Sequence, residues 1–128
     1  MTTREIVEVC IELCHPEAKK PGYARPGDAG MDIYAVEDAV IAPGSTAVVK
    51  TGLKLAIPEG YEIQIRPRSG VSLKTPLRVA NSPGTIDSGY RDDLGIIIHN
   101  TSLRDAYTVK KGDRSAQMVL PRVPVLMW

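Results

Sequence analysis

Leu53-Lys54-Leu55-Ala56-Ile57-Pro58-Glu59-Gly60-Tyr61-Glu62-Ile63-Gln64-Ile65-Arg66 is the stretch that decides the fold class. Leu53, Leu55 and Ile57 alternate with Lys54 and Ala56, and Tyr61, Ile63 and Ile65 alternate with Glu62, Gln64 and Arg66. A period of two sends successive side chains to opposite faces, so each run predicts a strand half buried against a core. Pro58-Glu59-Gly60 between them supplies a turn. The same pattern recurs where Val7, Val9, Ile11 and Leu13 alternate with Glu8, Cys10 and Glu12. It recurs again where Ala116, Met118 and Leu120 alternate with Ser115, Gln117 and Val119. Further turn signals stand at Ala42-Pro43-Gly44, Asn81-Ser82-Pro83-Gly84, Asp87-Ser88-Gly89 and Lys110-Lys111-Gly112-Asp113. With 10 Pro and 11 Gly spread along the chain, no long helix has room, and at most one turn is predicted around 71–74. Many short strands joined by Gly/Pro turns predict an all-β sandwich or barrel-like roll.

The 128 residues are one domain's worth, 1–128, without repeat, linker or low-complexity segment. A formal net charge of +1 gives no concentrated basic face, so neither nucleic acid nor a membrane surface is an expected partner. No apolar run is long enough to span a bilayer. Glu5 and Glu8 occupy the place where a signal peptide would need an apolar run, so the expectation is a cytoplasmic protein. Cys10 and Cys14 lie about 13 Å apart if the strand continues, too far for one zinc or a disulfide unless the chain turns after Leu13. Reduced, packed thiols are expected, and His99 reads as an ordinary structural histidine. Leu94-Gly95-Ile96-Ile97-Ile98 is apolar on both faces, and Val123-Pro124-Val125-Leu126-Met127-Trp128 is apolar throughout. Both point to a subunit interface, although a core strand alone would also explain the first.

Four segments have the composition of a site. Arg66-Pro67-Arg68-Ser69-Gly70 combines guanidinium forks, a hydroxyl and a glycine that admits close backbone approach. That suits an anion; read alone, it is equally a solvated strand end. Pro26-Gly27-Asp28-Ala29-Gly30-Met31-Asp32-Ile33-Tyr34-Ala35 sets Asp32 between apolar residues. Magnesium is commonly held by one or two carboxylates with substrate phosphates and water, which is the favoured reading; the alternative is a structural carboxylate accepting backbone or arginine hydrogen bonds. Asn81 to Gly95 contains two strand-like arms around Asp87-Ser88-Gly89-Tyr90, which predicts a β-hairpin. Opened near its tip, such a hairpin would present backbone N–H and C=O groups to a nucleobase edge. Asp87 could deprotonate a water there, and Tyr90 could lie against a ring. Asp-Ser-Gly is also simply a good turn. Lys111-Gly112-Asp113-Arg114-Ser115-Ala116-Gln117-Met118 reads as a turn entering a strand.

Taken together and in order, these segments resemble the dUTPase family. Ala29-Gly30-Met31-Asp32-Ile33-Tyr34-Ala35 looks like its first motif and Pro67-Arg68-Ser69-Gly70 like its second. Gly84-Thr85-Ile86-Asp87-Ser88-Gly89-Tyr90-Arg91 looks like the third, and Gly112-Asp113-Arg114-Ser115-Ala116-Gln117 like the fourth. The resemblance implies a jelly-roll-like distorted barrel of short strands, of the β-clip type, assembled as a homotrimer with shared sites. It implies an enzyme that hydrolyses dUTP to dUMP and pyrophosphate with Mg2+, keeping uracil out of DNA and supplying dUMP for dTMP synthesis. By the same resemblance Asp87 is the base that activates water, and Tyr90 packs on the deoxyribose. Asn81, Thr85, Ile86 and Gly95 read uracil, while Arg68, Ser69, Gly70 and Gln117 hold the phosphates. Asp32 holds the metal through water.

Two departures accompany the match. Asp92 follows Arg91 where the family usually has glycine, and the family's fifth motif, a Gly-rich arm with arginine and phenylalanine, is absent or truncated; the chain contains no Phe. The alternatives are a dUTPase-like nucleotide-binding or regulatory protein with weak turnover, or a relative of the dCTP deaminases.

Overall fold

A computed structural model of the chain describes residues 3–128. It contains eleven short strands and one short helix: β1 Cys10–Leu13, β2 Met31–Tyr34, β3 Ala39–Ile41, β4 Thr46–Lys50, β5 Leu53–Ala56, β6 Ile63–Arg66, α1 Ser69–Lys74, β7 Leu77–Val79, β8 Gly84–Ile86, β9 Gly95–Asn100, β10 Tyr107–Val109 and β11 Arg114–Val119. The strands form four antiparallel groups. These are β1–β5, β3–β10, a four-stranded sheet ordered β2-β11-β6-β8, and a three-stranded sheet ordered β4-β9-β7. The predicted alternations of β5, β6 and β11 bury most of their apolar members, whereas in the first run Val7, Val9 and Ile11 are only partly buried and Leu13 is exposed. Leu53, Leu55, Ile57, Ile63, Ile65, Ala116 and Met118 are all in the core, with Ile33, Val49, Ile96 and Ile98 from the facing strands. Packing of inward faces from several sheets around one core gives the all-β barrel-like architecture expected.

The core carries one buried polar brace. Asn100, fully buried at the end of β9, donates to the carbonyls of Ile41 and Asp105 and accepts from the Ser102 N–H. Its amide thereby joins β3, β9 and the loop before β10, and every buried group it touches has a partner.

Four sequence expectations need correction. The arms flanking Asp87 do not form a β-hairpin: β8 pairs with β6, whereas β9 pairs with β4 and β7. Tertiary pairing overrides the local turn signal: Leu94 is buried, its N–H is taken by the carbonyl of Leu53 in β5, and the strand that follows pairs on both sides with β4 and β7. The run 94–98 is covered on one face only in a single chain, with Ile96 and Ile98 buried and Ile97 37% exposed. Both cysteines are free, as expected, but exposed rather than packed. The helical turn around 71–74 is a full six-residue helix starting at Ser69. His99 is structural, its Nδ1 2.9 Å from the Thr46 hydroxyl oxygen.

Candidate active site

The central sheet assembles an anion cleft from residues distant in sequence. Antiparallel register sets Gln117 of β11 opposite Asp32 of β2 and opposite Arg66 of β6. The chain leaving β6 then turns through Pro67 and Arg68 into α1. Asp32, Arg68, Ser69, Gly70 and Gln117 therefore line one cleft of about 520 Å³, together with Arg25, Asp28 and Arg114. Ser69 and Gly70 open α1, where the first N–H groups of a helix have no helical acceptor, and Arg68 contributes no side-chain cap. At Gly70 an added Cβ would meet nothing within 4 Å, and the backbone conformation is ordinary. Nothing in the chain itself demands glycine there, and the backbone of this turn is open to close approach from the cleft. Gly30 has the opposite cause, since a Cβ there would collide with the Gln117 side-chain amide. Its absence lets Gln117 lie flat and donate through Nε2 to the carbonyl of Pro67 at 2.9 Å.

Asp32 organises the cleft's charge. Its side chain is only 15% exposed; Oδ1 accepts from Arg68 Nε at 2.9 Å, and Oδ2 lies 3.6 Å from Arg114 Nη1. One carboxylate thus holds two guanidinium groups that would otherwise repel, and Arg68 Nη1 also donates to the Arg114 carbonyl at 3.4 Å. Arg114 did not emerge from the sequence as a site residue. Its signal was its place in Gly112-Asp113-Arg114, three residues ahead of Gln117 at the start of the strand that pairs with Asp32, where the register shifts between Arg114 and Ala116. Among the described residues no cluster of three His, Cys, Asp or Glu side chains forms a metal cage. With both Asp32 oxygens facing arginines, the donor set suits Mg2+ held mainly by phosphates and water, with the carboxylate beyond that water.

A second, narrower cleft of about 200 Å³ is lined by Asn81, Thr85, Ile86, Tyr90 and Gly95, with apolar walls from Ile65, Leu94 and Ile97. These are the five remaining predicted contact residues besides Asp87, brought together between two sheets. β8 is the edge strand of its sheet, so one side of its backbone carries N–H and C=O groups with no strand partner. Asp87 is exposed in the turn that follows β8, where its carbonyl accepts the Tyr90 N–H at 3.0 Å. Tyr90 is 43% exposed, and its hydroxyl donates to the Asp93 carbonyl at 2.7 Å, which fixes the ring at the mouth of the cleft. The two clefts share no lining residue.

A family model described as dUTPase matches residues 16–126. The deoxyuridine 5'-triphosphate nucleotidohydrolase of Solibacter usitatus is 48% identical over 130 residues, covering 100% of this chain and 86% of its own. That of a Picosynechococcus species is 52% identical over 112 residues, covering 88% and 77%. Among solved structures, a mutant dUTPase from phage phi11 of S. aureus, studied for its coordination of a structural Mg(II) ion, superposes with a TM-score of 0.87. It is 30% identical and covers 95% of each chain. A mutant dUTPase of Staphylococcus bacteriophage 80alpha with dUpNHpp gives a TM-score of 0.87 at 31% identity, covering 94% of this chain and 86% of that one. With a family model spanning most of the chain and two relatives near half identical, this chain belongs to the dUTPase family.

Proposed function

We infer that the chain hydrolyses dUTP to dUMP and pyrophosphate by attack of water on the α-phosphorus. The observation that carries this reading is the free backbone edge of β8 facing Gly95 across a narrow cleft, with Tyr90 at its mouth. An edge of fixed N–H and C=O groups suits uracil, whose O4 accepts and whose N3–H donates. Cytosine presents the reverse pattern and would leave buried groups unpaired, the strongest form of discrimination. Thymine is opposed only by its methyl, worth about 1–3 kcal/mol unless the wall is rigid. Asn81 and the backbone of Thr85, Ile86 and Gly95 bind the base, and Tyr90 covers the deoxyribose face where a 2′-hydroxyl would stand.

The phosphates lie against Arg68, Ser69, Gly70 and Gln117. Asp32 orients Arg68 and would hold Mg2+ through water, where the ion would supply charge neutralisation at the phosphates. Asp87 takes a proton from water, the oxygen bonds to the α-phosphorus, and the bond to the bridging oxygen breaks to release pyrophosphate. Positioning and charge neutralisation supply most of the acceleration in displacement of this kind.

A homotrimer in which the base cleft of one subunit meets the phosphate cleft of its neighbour fits the separate clefts. It also fits the apolar surface. Val48 and Ile97 form an exposed cross-strand pair, 59% and 37% accessible, and Val125, Leu126, Met127 and Trp128 stand clear of the chain's own core. No helix among the described residues is long and apolar enough to cross a membrane.

Hydrolysis in 18O-labelled water tests the chemistry. Label is expected in dUMP; label in pyrophosphate would place attack on the β-phosphorus and overturn the mechanism.

A further inference from the structure

Tyr90 is held from one side by the turn that begins at Asp87 and from the other by Asp93, and Asp93 is itself held by a residue far away in sequence. Cys14, just beyond β1, donates its thiol to Asp93 Oδ1 at 3.0 Å. The Cys14 N–H is in turn fixed on the carbonyl of Gly52 at 2.8 Å. Next along the loop, Leu94 is anchored twice, through its N–H to the Leu53 carbonyl and through its own carbonyl to the buried Thr51 hydroxyl at 2.6 Å. The Tyr90 hydroxyl ends on the main-chain carbonyl of Asp93. One continuous path of hydrogen bonds therefore runs from the end of β1, through Asp93, to the ring at the mouth of the base cleft. Apart from it, the ties of the largely exposed stretch 88–93 among the described residues are local, from the Tyr90 N–H to the Asp87 carbonyl, from Arg91 to the Ser88 carbonyl and from the Asp93 N–H to Asp92.

We propose that Cys14 and Asp93 are positioning residues for the sugar subsite, the thiol–carboxylate contact setting where the Tyr90 ring stands and thereby how sharply dUTP is preferred over UTP. The inference rests on the reading of Tyr90 as the cover of the deoxyribose. Neither residue touches the nucleotide. The thiol's proton is well kept: acceptance by the Asp93 carboxylate, then loss of solvent, raises its pKa above the ordinary thiol value, so the donor persists at neutral pH. A serine hydroxyl donates to a carboxylate in the same way, so Cys14→Ser preserves the function that Cys14→Ala removes.

The test uses the full chain with hydrogen exchange and paired kinetics. Cys14→Ala is expected to speed exchange of the amides in 88–94 and to narrow the dUTP/UTP ratio of kcat/KM, each by about fivefold, through KM for dUTP rather than kcat. Asp93→Ala is expected to do the same, the double variant no more than either alone, and Cys14→Ser to return both readouts towards the parent. Cys10→Ala, which removes the other exposed thiol, is expected to change neither. Unchanged exchange in Cys14→Ala overturns the tie itself. Faster exchange with an unchanged nucleotide ratio, while Tyr90→Ala alters that ratio, overturns the positioning role. An unchanged ratio in Tyr90→Ala overturns the sugar-cover reading on which the role depends, whatever the exchange shows.

Discussion

Asp32 shows how one side chain can decide the chemistry of a cleft. Held between Arg68 and Arg114, it turns two repelling cations into an oriented pair of forks. Asp32→Asn keeps the shape but loses the charge on which both arginines rest. We expect KM for dUTP to rise about tenfold and the Mg2+ requirement to shift upwards, measured as initial rates across a magnesium series. An unchanged magnesium profile would place the ion elsewhere. At Asp87 the expected loss is in turnover: Asp87→Asn should bind dUTP nearly normally and lower kcat by about 10²–10⁴-fold, the usual range for removal of a general base. A mutant turning over at the parent's rate would remove Asp87 from that role. Gly70→Ala separates ligand from chain, because space for the methyl exists in the free protein. Its melting temperature should hold while dUTP affinity falls; a drop in stability with unchanged affinity would contradict the close-approach argument.

At the level of elements, the segment from β8 to β9 brings the expected residues to one cleft, but by a connection that the local sequence did not suggest. Asn81, Thr85, Ile86, Tyr90 and Gly95 do line one cleft, yet their two arms belong to different sheets. Alternation and turn chemistry are local properties, and they made Leu53, Leu55 and Ile57 legible as core. The choice of strand partner is not local: β9 pairs with β4 and β7 rather than with its neighbour in sequence, β8. Nor does any pattern announce the thiol–carboxylate pair of Cys14 and Asp93, 79 residues apart. That pair carries a pH dependence whose sign follows from its raised thiol pKa. Its contribution is complete below the ordinary thiol value of about 8.5 and is lost as pH rises through the higher folded value, where thiolate would face carboxylate. Lys54 opposes that shift and Glu12 reinforces it, and His15 and Lys50 line the same recess. Exchange of the 88–94 amides, corrected for intrinsic base catalysis, should therefore accelerate in alkali in the parent and not in Cys14→Ser. Identical alkaline profiles would show that the thiol is not the titrating group.

For the whole molecule, stability and assembly are separable. Asn100→Ala strands buried carbonyls of Ile41 and Asp105, and we expect a loss of about 1–3 kcal/mol in denaturant unfolding; a neutral result would mean that water replaces the amide. Assembly should depend instead on the exposed Val48–Ile97 face. A homotrimer of 13.9 kDa chains has a mass of about 42 kDa by light scattering, and a monomeric mass would leave that face and the divided site unexplained. Complementation adds a stricter test of a site shared between subunits. Asp87→Asn and Arg68→Ala chains, each inactive alone, should regain activity when refolded together, because mixed trimers contain sites in which both residues are intact. The measurement that bears most directly on the account is pyrophosphate release from dUTP, dCTP, dTTP and UTP at matched concentrations with Mg2+. We predict that dUTP leads dCTP in kcat/KM by about 100-fold or more, where a fixed polar edge reads the base, and leads dTTP, opposed only by a methyl, and UTP by about tenfold or more. Comparable turnover of dCTP, with or without release of ammonia, would contradict it.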